Sequence, residues 1–361
     1  MKNFMSFSKR ALIFSSLLFS VALISAQTTW TVNNNPNVSA DFTDLQAAIN
    51  DVSVMNGDIL YVQHSPTSYG GNIDLSKSLT IIGRSHADVG YTTTIGTLRV
   101  TGGADGSTVK GCRINSISAV GSGSTIDGLS FYDNSIGSFD LNNNHDFTNT
   151  TIKGNIFTNN LTIRSVMSNV TITNNIFLGG SNTFYEVDTV FYSYNVIGFN
   201  GNFTLSNYDT DNSQQLNISN CIFVSNSAAD RTIILNANNT NIVQVDNCVT
   251  YNYGSGSHVF ETDTYITING NVQENTNPNF TSVDTGNSQS IAGTGSNYDP
   301  LNDDLTLQDG AGLFGSEGLY EGYNFINLGL PTGYPSVKIL SHDPTIAKNG
   351  NLSVTIEAKT N

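Results

Sequence analysis

A six-residue phrase recurs through the middle of the chain and constrains its fold more than any other feature. It reads Val109-Lys110-Gly111-Cys112-Arg113-Ile114, Ile126-Asp127-Gly128-Leu129-Ser130-Phe131, Ile152-Lys153-Gly154-Asn155-Ile156-Phe157 and Ile172-Thr173-Asn174-Asn175-Ile176-Phe177. It continues as Tyr192-Ser193-Tyr194-Asn195-Val196-Ile197 and Ile218-Ser219-Asn220-Cys221-Ile222-Phe223. Weaker copies are Val245-Asp246-Asn247-Cys248-Val249 and Ile268-Asn269-Gly270-Asn271-Val272. The fourth slot falls at 112, 129, 155, 175, 195, 221, 248 and 271, at intervals of 17 to 27 residues. One β-rich unit repeated at that period predicts an all-β solenoid, because a single coil cannot bury its apolar face and stacked coils can.

The slots carry the physics of a coil. Val170, Val190, Leu216, Val243 and Ile266 stand two positions before the phrase and extend its period-two alternation. Gly or Asn fills the third slot in seven of the eight copies, and both tolerate the left-handed backbone of a tight bend. Asn155, Asn175 and Asn195 then stack on successive turns, where their amides can hydrogen-bond along the column. Cys112, Cys221 and Cys248 share that column and read as small buried fillers, with a strained disulfide between Cys221 and Cys248, expected one rung apart, as the open alternative. Ile114, Phe131, Phe157, Phe177, Ile197 and Phe223 form a second column two residues later. Because the slot between is also often apolar, the sequence leaves open which of the two faces out. Helix is a poor alternative, since residues 141–180 hold 10 Asn.

Before the coils, Thr43-Asp44-Leu45-Gln46 reads as a capping box, with Leu45, Ala48, Ile49 and Val52 at helical spacing. Strands are expected at Ile59–Val62 and twice between Tyr69 and Gly83. The segments Phe42–Ile49, Gly57–Val62 and Ser78–Gly83, followed by the Asn-bearing coils, resemble the pectate-lyase-like superfamily of right-handed parallel β-helix proteins. The resemblance covers roughly residues 28–325 and implies a right-handed parallel β-helix with a short N-terminal capping helix and a C-terminal cap. It does not imply one activity, because that superfamily includes lyases, hydrolases, esterases, adhesins and proteins without known chemistry. The expected organisation is a signal peptide at 1–26, a cap and first coils at 27–100, the β-helix at 101–325, and a tail or cap strands at 326–361.

The leader rests on Lys2, Lys9 and Arg10, the apolar stretch Ala11–Ile24 and the small residues Ser25-Ala26 before Gln27. That stretch is short for a membrane span, and no later segment is apolar enough to cross, so the mature chain is expected to be exported to the cell surface, medium or periplasm. The ending Ser-Ala-Gln and the Asn-rich style resemble exported proteins of Bacteroidetes-type bacteria. Fourteen basic residues against 29 acidic ones give a net charge of −15, which disfavours nucleic acid as a partner.

Chemistry is less legible. The resemblance implies that a pectate lyase would hold Ca²⁺ on acidic side chains and use Arg or Lys as base. The densest oxygen donors are Asn207, Asp209 and Asp211, which match the start of a D-x-D calcium loop without its Gly and terminal Glu. In the second slot Lys110, Asp127 and Lys153 are expected as a plus–minus–plus ladder, with Arg113 and Arg164 as neighbours. One lysine could act as a base, or the three could be an exposed ion ladder of little energetic weight. The Asn-Thr-Asp and Gly-His-Gly phrases of polygalacturonase-like hydrolases are absent from the regular coils, and the five His show no metal-ligand spacing. The reading is therefore a rigid exported β-helix that binds glycan or a partner protein, without catalysis. The alternatives are a Ca²⁺-dependent uronate lyase and a structural subunit of an envelope assembly.

Overall fold

The computed structural model describes residues 27–141, 145–164, 167–185, 188–208, 215–236, 242–295, 297–308, 317–331, 335–342 and 354–360. The expected leader, 1–26, lies outside the described residues. Eleven parallel strands, from Thr29–Val32 to Ile266–Ile268, form a first sheet along one side of a parallel β-solenoid. A 14-stranded second sheet lines another side, and Thr125–Asp127, Asp146–Thr148 and Met167–Ser168 make a small third one. Among the described residues no helix is long and apolar enough to cross a membrane.

Register places like residues in files. Val109, Phe131, Ile152, Ile172, Tyr192, Ile218, Val245 and Ile268 are successive partners in the first sheet. The second copy of the phrase is therefore Phe131–Ile136, not Ile126–Phe131, and the fourth slot belongs to Asn134 rather than Leu129. Ile126 pairs with Phe147 in the third sheet instead. The two sites are locally alike: Gly128 turns with φ 70° where Asp133 turns with φ 53°. Only the strand on the neighbouring rung distinguishes them.

The corrected column is a continuous polar ladder. Asn134, Asn155, Asn175 and Asn195 are all fully buried. Each Oδ1 accepts from the rung before: Asn155 Oδ1 from Asn134 N and Nδ2 at 3.0 Å each, Asn175 Oδ1 from Asn155 at 2.8 and 3.1 Å, and Asn195 Oδ1 from Asn175 at 2.9 and 3.0 Å. Each Nδ2 also donates to a main-chain carbonyl of the preceding coil. Such saturation is what makes buried amides tolerable. Cys112 precedes the Asn run, and Cys221 and Cys248 follow it, as buried free thiols. The third slot carries the left-handed bend, with φ between 48° and 72° at Gly111, Asp133, Gly154, Asn174, Tyr194, Asn220 and Asn247.

Phe157 stacks on Phe177 at 4.7 Å between centroids, and Phe177 on Tyr192 at 5.5 Å, so the sixth slot faces the core. The fifth slot faces outward and is covered. Ile156, Ile176, Val196, Ile222 and Val249 are buried with Phe280, Ile291, Leu305, Leu319 and Phe325 in a second apolar cluster. In the earlier coils the same slot holds Arg113, which is exposed, and Ser135.

At the N-terminus, helix α1 (Leu45–Asn50) buries Leu45, Ala48 and Ile49. Its cap is Asp44, whose side chain accepts from Ala47 N, and not the expected Thr43–Gln46 box. Gln46 instead accepts from Asp74 N at 2.5 Å, and Val52, past the helix end, is 95% exposed. At the other end Val354–Thr360 pairs antiparallel with Pro335–His342 rather than with a coil.

Residues 317–331 form a strap that runs back along the bend column. Gly318 N donates to Asn220 O, Asn174 Nδ2 donates to the carbonyls of Leu319 and Glu321, and Ser85 Oγ donates to Leu328 O.

Candidate functional site

The expected charge ladder does not assemble. Lys110, Tyr132 and Lys153 are successive partners in the first sheet, so a tyrosine separates the two lysines. Asp127 sits in the third sheet, exposed, opposite Thr148. There it accepts from Thr148 Oγ1 and Asn149 Nδ2, and these bonds hold its carboxyl below the usual range. The displacement follows from the register correction above. Of the expected calcium donors, Asn207 lies on Phe203–Tyr208 opposite Phe184, while Asp209 and Asp211 fall outside the described residues. Among the described residues no three His, Cys, Asp or Glu side chains gather as a metal site.

The acid on which both lysines act through their charge is Asp133, which is 5% exposed. Tyr323 of the strap donates to Asp133 Oδ1 at 2.5 Å, and Lys153 Nζ stands 4.3 Å from the Tyr323 ring centroid. Burial pushes the Asp133 carboxyl up to about 6, against the opposing pull of the Tyr323 hydroxyl and of Lys110 and Lys153. The same burial, with the neighbouring carboxylate, raises the Tyr323 hydroxyl above its ordinary value, so it donates and does not act as a base. This cluster is a closed pin for the strap.

An open site lies along the second sheet. Its early strands, Thr94–Val100, Arg113–Ala119 and Ser135–Leu141, are continuous seven-residue segments. Ser135–Leu141 then pairs with two separate strands at once, Ile156–Phe157 and Leu161–Ile163. From that coil onward a bend interrupts the strand: Thr158-Asn159-Asn160, then Leu178-Gly179-Gly180. The interruption opens a groove of about 670 Å³, within the range of small-ligand sites.

Its walls are mostly amides and hydroxyls, from Ser138, Thr158, Asn159, Asn160 and Thr162, with Asp140 among them and the Phe199 ring at one side. A Cβ added at Gly180 would lie 2.8 Å from Phe199 Cζ, so only glycine lets the ring rest on that backbone. Asn160 Oδ1 accepts from Ser181 N at 3.1 Å, which ties two rungs of the wall together. Sequence reasoning missed this groove. Its signal was present as turn residues, Thr158-Asn159-Asn160 and Gly179-Gly180, inside what the period marks as strand.

The fold and groove define the class as a parallel β-solenoid with a polar lateral cleft. No protein-family model matches the chain, and no curated protein matches it.

Proposed function

We propose that this protein is an exported, rigid β-solenoid module that holds a glycan chain in the groove beside Phe199 and performs no chemistry on it. The observation that carries the reading is the wall itself: hydroxyls of Ser138 and Thr162 on paired strands, and amides on the bend beside them that Asn160 ties to the next rung, around one aromatic ring. Sugars offer hydroxyls to such a wall and an apolar ring face to such an aromatic. An extended array of parallel rungs suits a linear polymer, and a prepaid geometry lowers the ordering cost of binding.

The test is calorimetric titration of the purified chain with a panel of oligosaccharides, comparing wild type with Phe199→Ala. Saturable binding weakened about tenfold or more by Phe199→Ala supports the reading, a loss of about 1.4 kcal/mol. No binding to any glycan, with capture of one envelope protein that survives Phe199→Ala, refutes it. Export is tested by the mass of protein recovered outside the cytoplasm, which is expected to begin at Gln27.

A further inference from the structure

Asp140 lies in the groove without a partner of its own. It belongs to a file that runs Asp74, Arg99, Ser118, Asp140, Thr162, Thr183 across successive rungs of the second sheet. The contrast within that file is informative. Asp74 is held by Arg99 through two bonds, of 2.5 and 2.7 Å, which use Nε and Nη2 of the guanidinium. Ser118 stands between that pair and Asp140. Among the described residues no donor reaches the Asp140 carboxyl, and its Oδ1 is out of contact with water. Arg164, on the next coil, acts on it only through its charge and is not part of the groove lining. Burial raises the carboxyl above its ordinary range, as expected where hydrogen bonds do not compensate for lost solvent.

Oδ1 is shut off from the solvent, so what a ligand in the groove meets is the charge of a lining carboxyl, and such a charge discriminates between a ligand that donates to it and one that repels it. We infer that Asp140 makes the groove selective for neutral, hydroxyl-donating glycans and against uronate-bearing ones. A neutral sugar brings O–H donors to the part of the carboxyl that lines the groove, and the surrounding Asn and Thr side chains serve its remaining oxygens. A uronate would set a second carboxylate beside the first in a partly desolvated space, where the one charge of Arg164 already acts on Asp140 and no lining residue is a cation. This rests on the glycan reading of the groove and adds the sign of its selectivity.

The experiment uses the full chain and two matched probe sets, neutral gluco-, manno- and xylo-hexaoses and hexauronates of the same length, in calorimetry at fixed ionic strength. At least one neutral hexaose is expected to bind at least tenfold more tightly than any hexauronate. Asp140→Asn keeps the shape and removes the charge, so the gap is expected to narrow at least threefold through gained hexauronate affinity. Asp140→Ala is expected to weaken the neutral hexaose without admitting the uronate set to equal affinity. Circular dichroism melts of both variants establish that they fold. A wild-type protein that binds hexauronates as well as neutral hexaoses overturns this inference and leaves the glycan reading intact, as does an Asp140→Asn variant with an unchanged ratio. Failure of every probe to bind overturns the glycan reading and this inference with it.

Discussion

Replacing Asn175 by alanine cuts the polar ladder at its middle. The side chain takes part in five hydrogen bonds: Nδ2 donates to Ile152 O at 3.0 Å, to Thr173 O at 2.9 Å and to Asn195 Oδ1 at 3.0 Å, while Oδ1 accepts from Asn155 N at 2.8 Å and Asn155 Nδ2 at 3.1 Å. Alanine leaves Asn155 N–H without an acceptor in a fully buried column. It also strips one partner each from the Asn155 and Asn195 amides. One orphaned donor costs about 1–3 kcal/mol and each of the two broken amide–amide bonds adds about 1 kcal/mol, so the expected loss is about 4 kcal/mol. Urea unfolding followed by far-UV circular dichroism measures it, with local hydrogen exchange at Asn155 and its neighbours as a second readout, because coils can open locally. Asn159→Ala, on the exposed groove wall, is the control and should change stability by about 0.5 kcal/mol or less. A loss below about 1 kcal/mol for Asn175→Ala would refute the claim that the ladder holds the coils together.

Three further outcomes follow from the strap and the thiols. Gly154→Ala puts a Cβ 2.5 Å from Asp133 Oδ1 and 2.7 Å from Tyr323 Cε1 at a φ of 72°, so it should destabilise by about 2 kcal/mol and raise hydrogen exchange in residues 317–331; unchanged exchange there would contradict the strap's dependence on that bend. Asp133 is held near 6, above its ordinary 3.8, so the folded chain binds the proton more tightly than the unfolded one. Its contribution, about 3 kcal/mol at most, is complete below the ordinary value and fades as pH climbs through about 6. Urea midpoints of wild type and Asp133→Asn should therefore diverge between pH 4 and 7.5, with the variant gaining on wild type, and parallel curves would rule this out. Finally, Cys112, Cys221 and Cys248 are free and buried, so a thiol reagent should label none in the native state and all three in urea; fewer than three in urea would show a disulfide that this structure lacks.

Much of the architecture could be read from local pattern. The apolar alternation at Ile152, Ile172 and Ile218, the Asn or Gly bend beside it and the fourth-slot amide each state a backbone preference within six residues. Stacking identical statements can only produce rungs. The burial of the three cysteines followed from the same logic. The unpaired acid is harder to read, because Asp140 and Asp74 look alike in sequence and differ in whether a paired rung holds Arg99, or Ser118 and Thr162.

What the chain's order alone determined, then, is that it coils, that a buried column of amides runs through Asn155, Asn175 and Asn195, and that the cysteines share it, whereas which of the fifth and sixth slots faces inward waited for the structure. Tertiary structure decided which six residues pair with which. It placed Phe131 and not Ile126 beside Val109, and so set Tyr132 between the lysines and left Asp133, not Asp127, as the acid on which both act. It also decided that the outward Ile156, Ile176 and Ile222 are covered, because their cover comes from residues 280–325, and that Tyr323 reaches Asp133 across 190 positions. The physical reason is common to all three: local propensity specifies a turn of backbone, whereas register and cover are choices among many equivalent turns, made by whichever long-range pairing buries the most apolar surface while leaving few polar groups unmet.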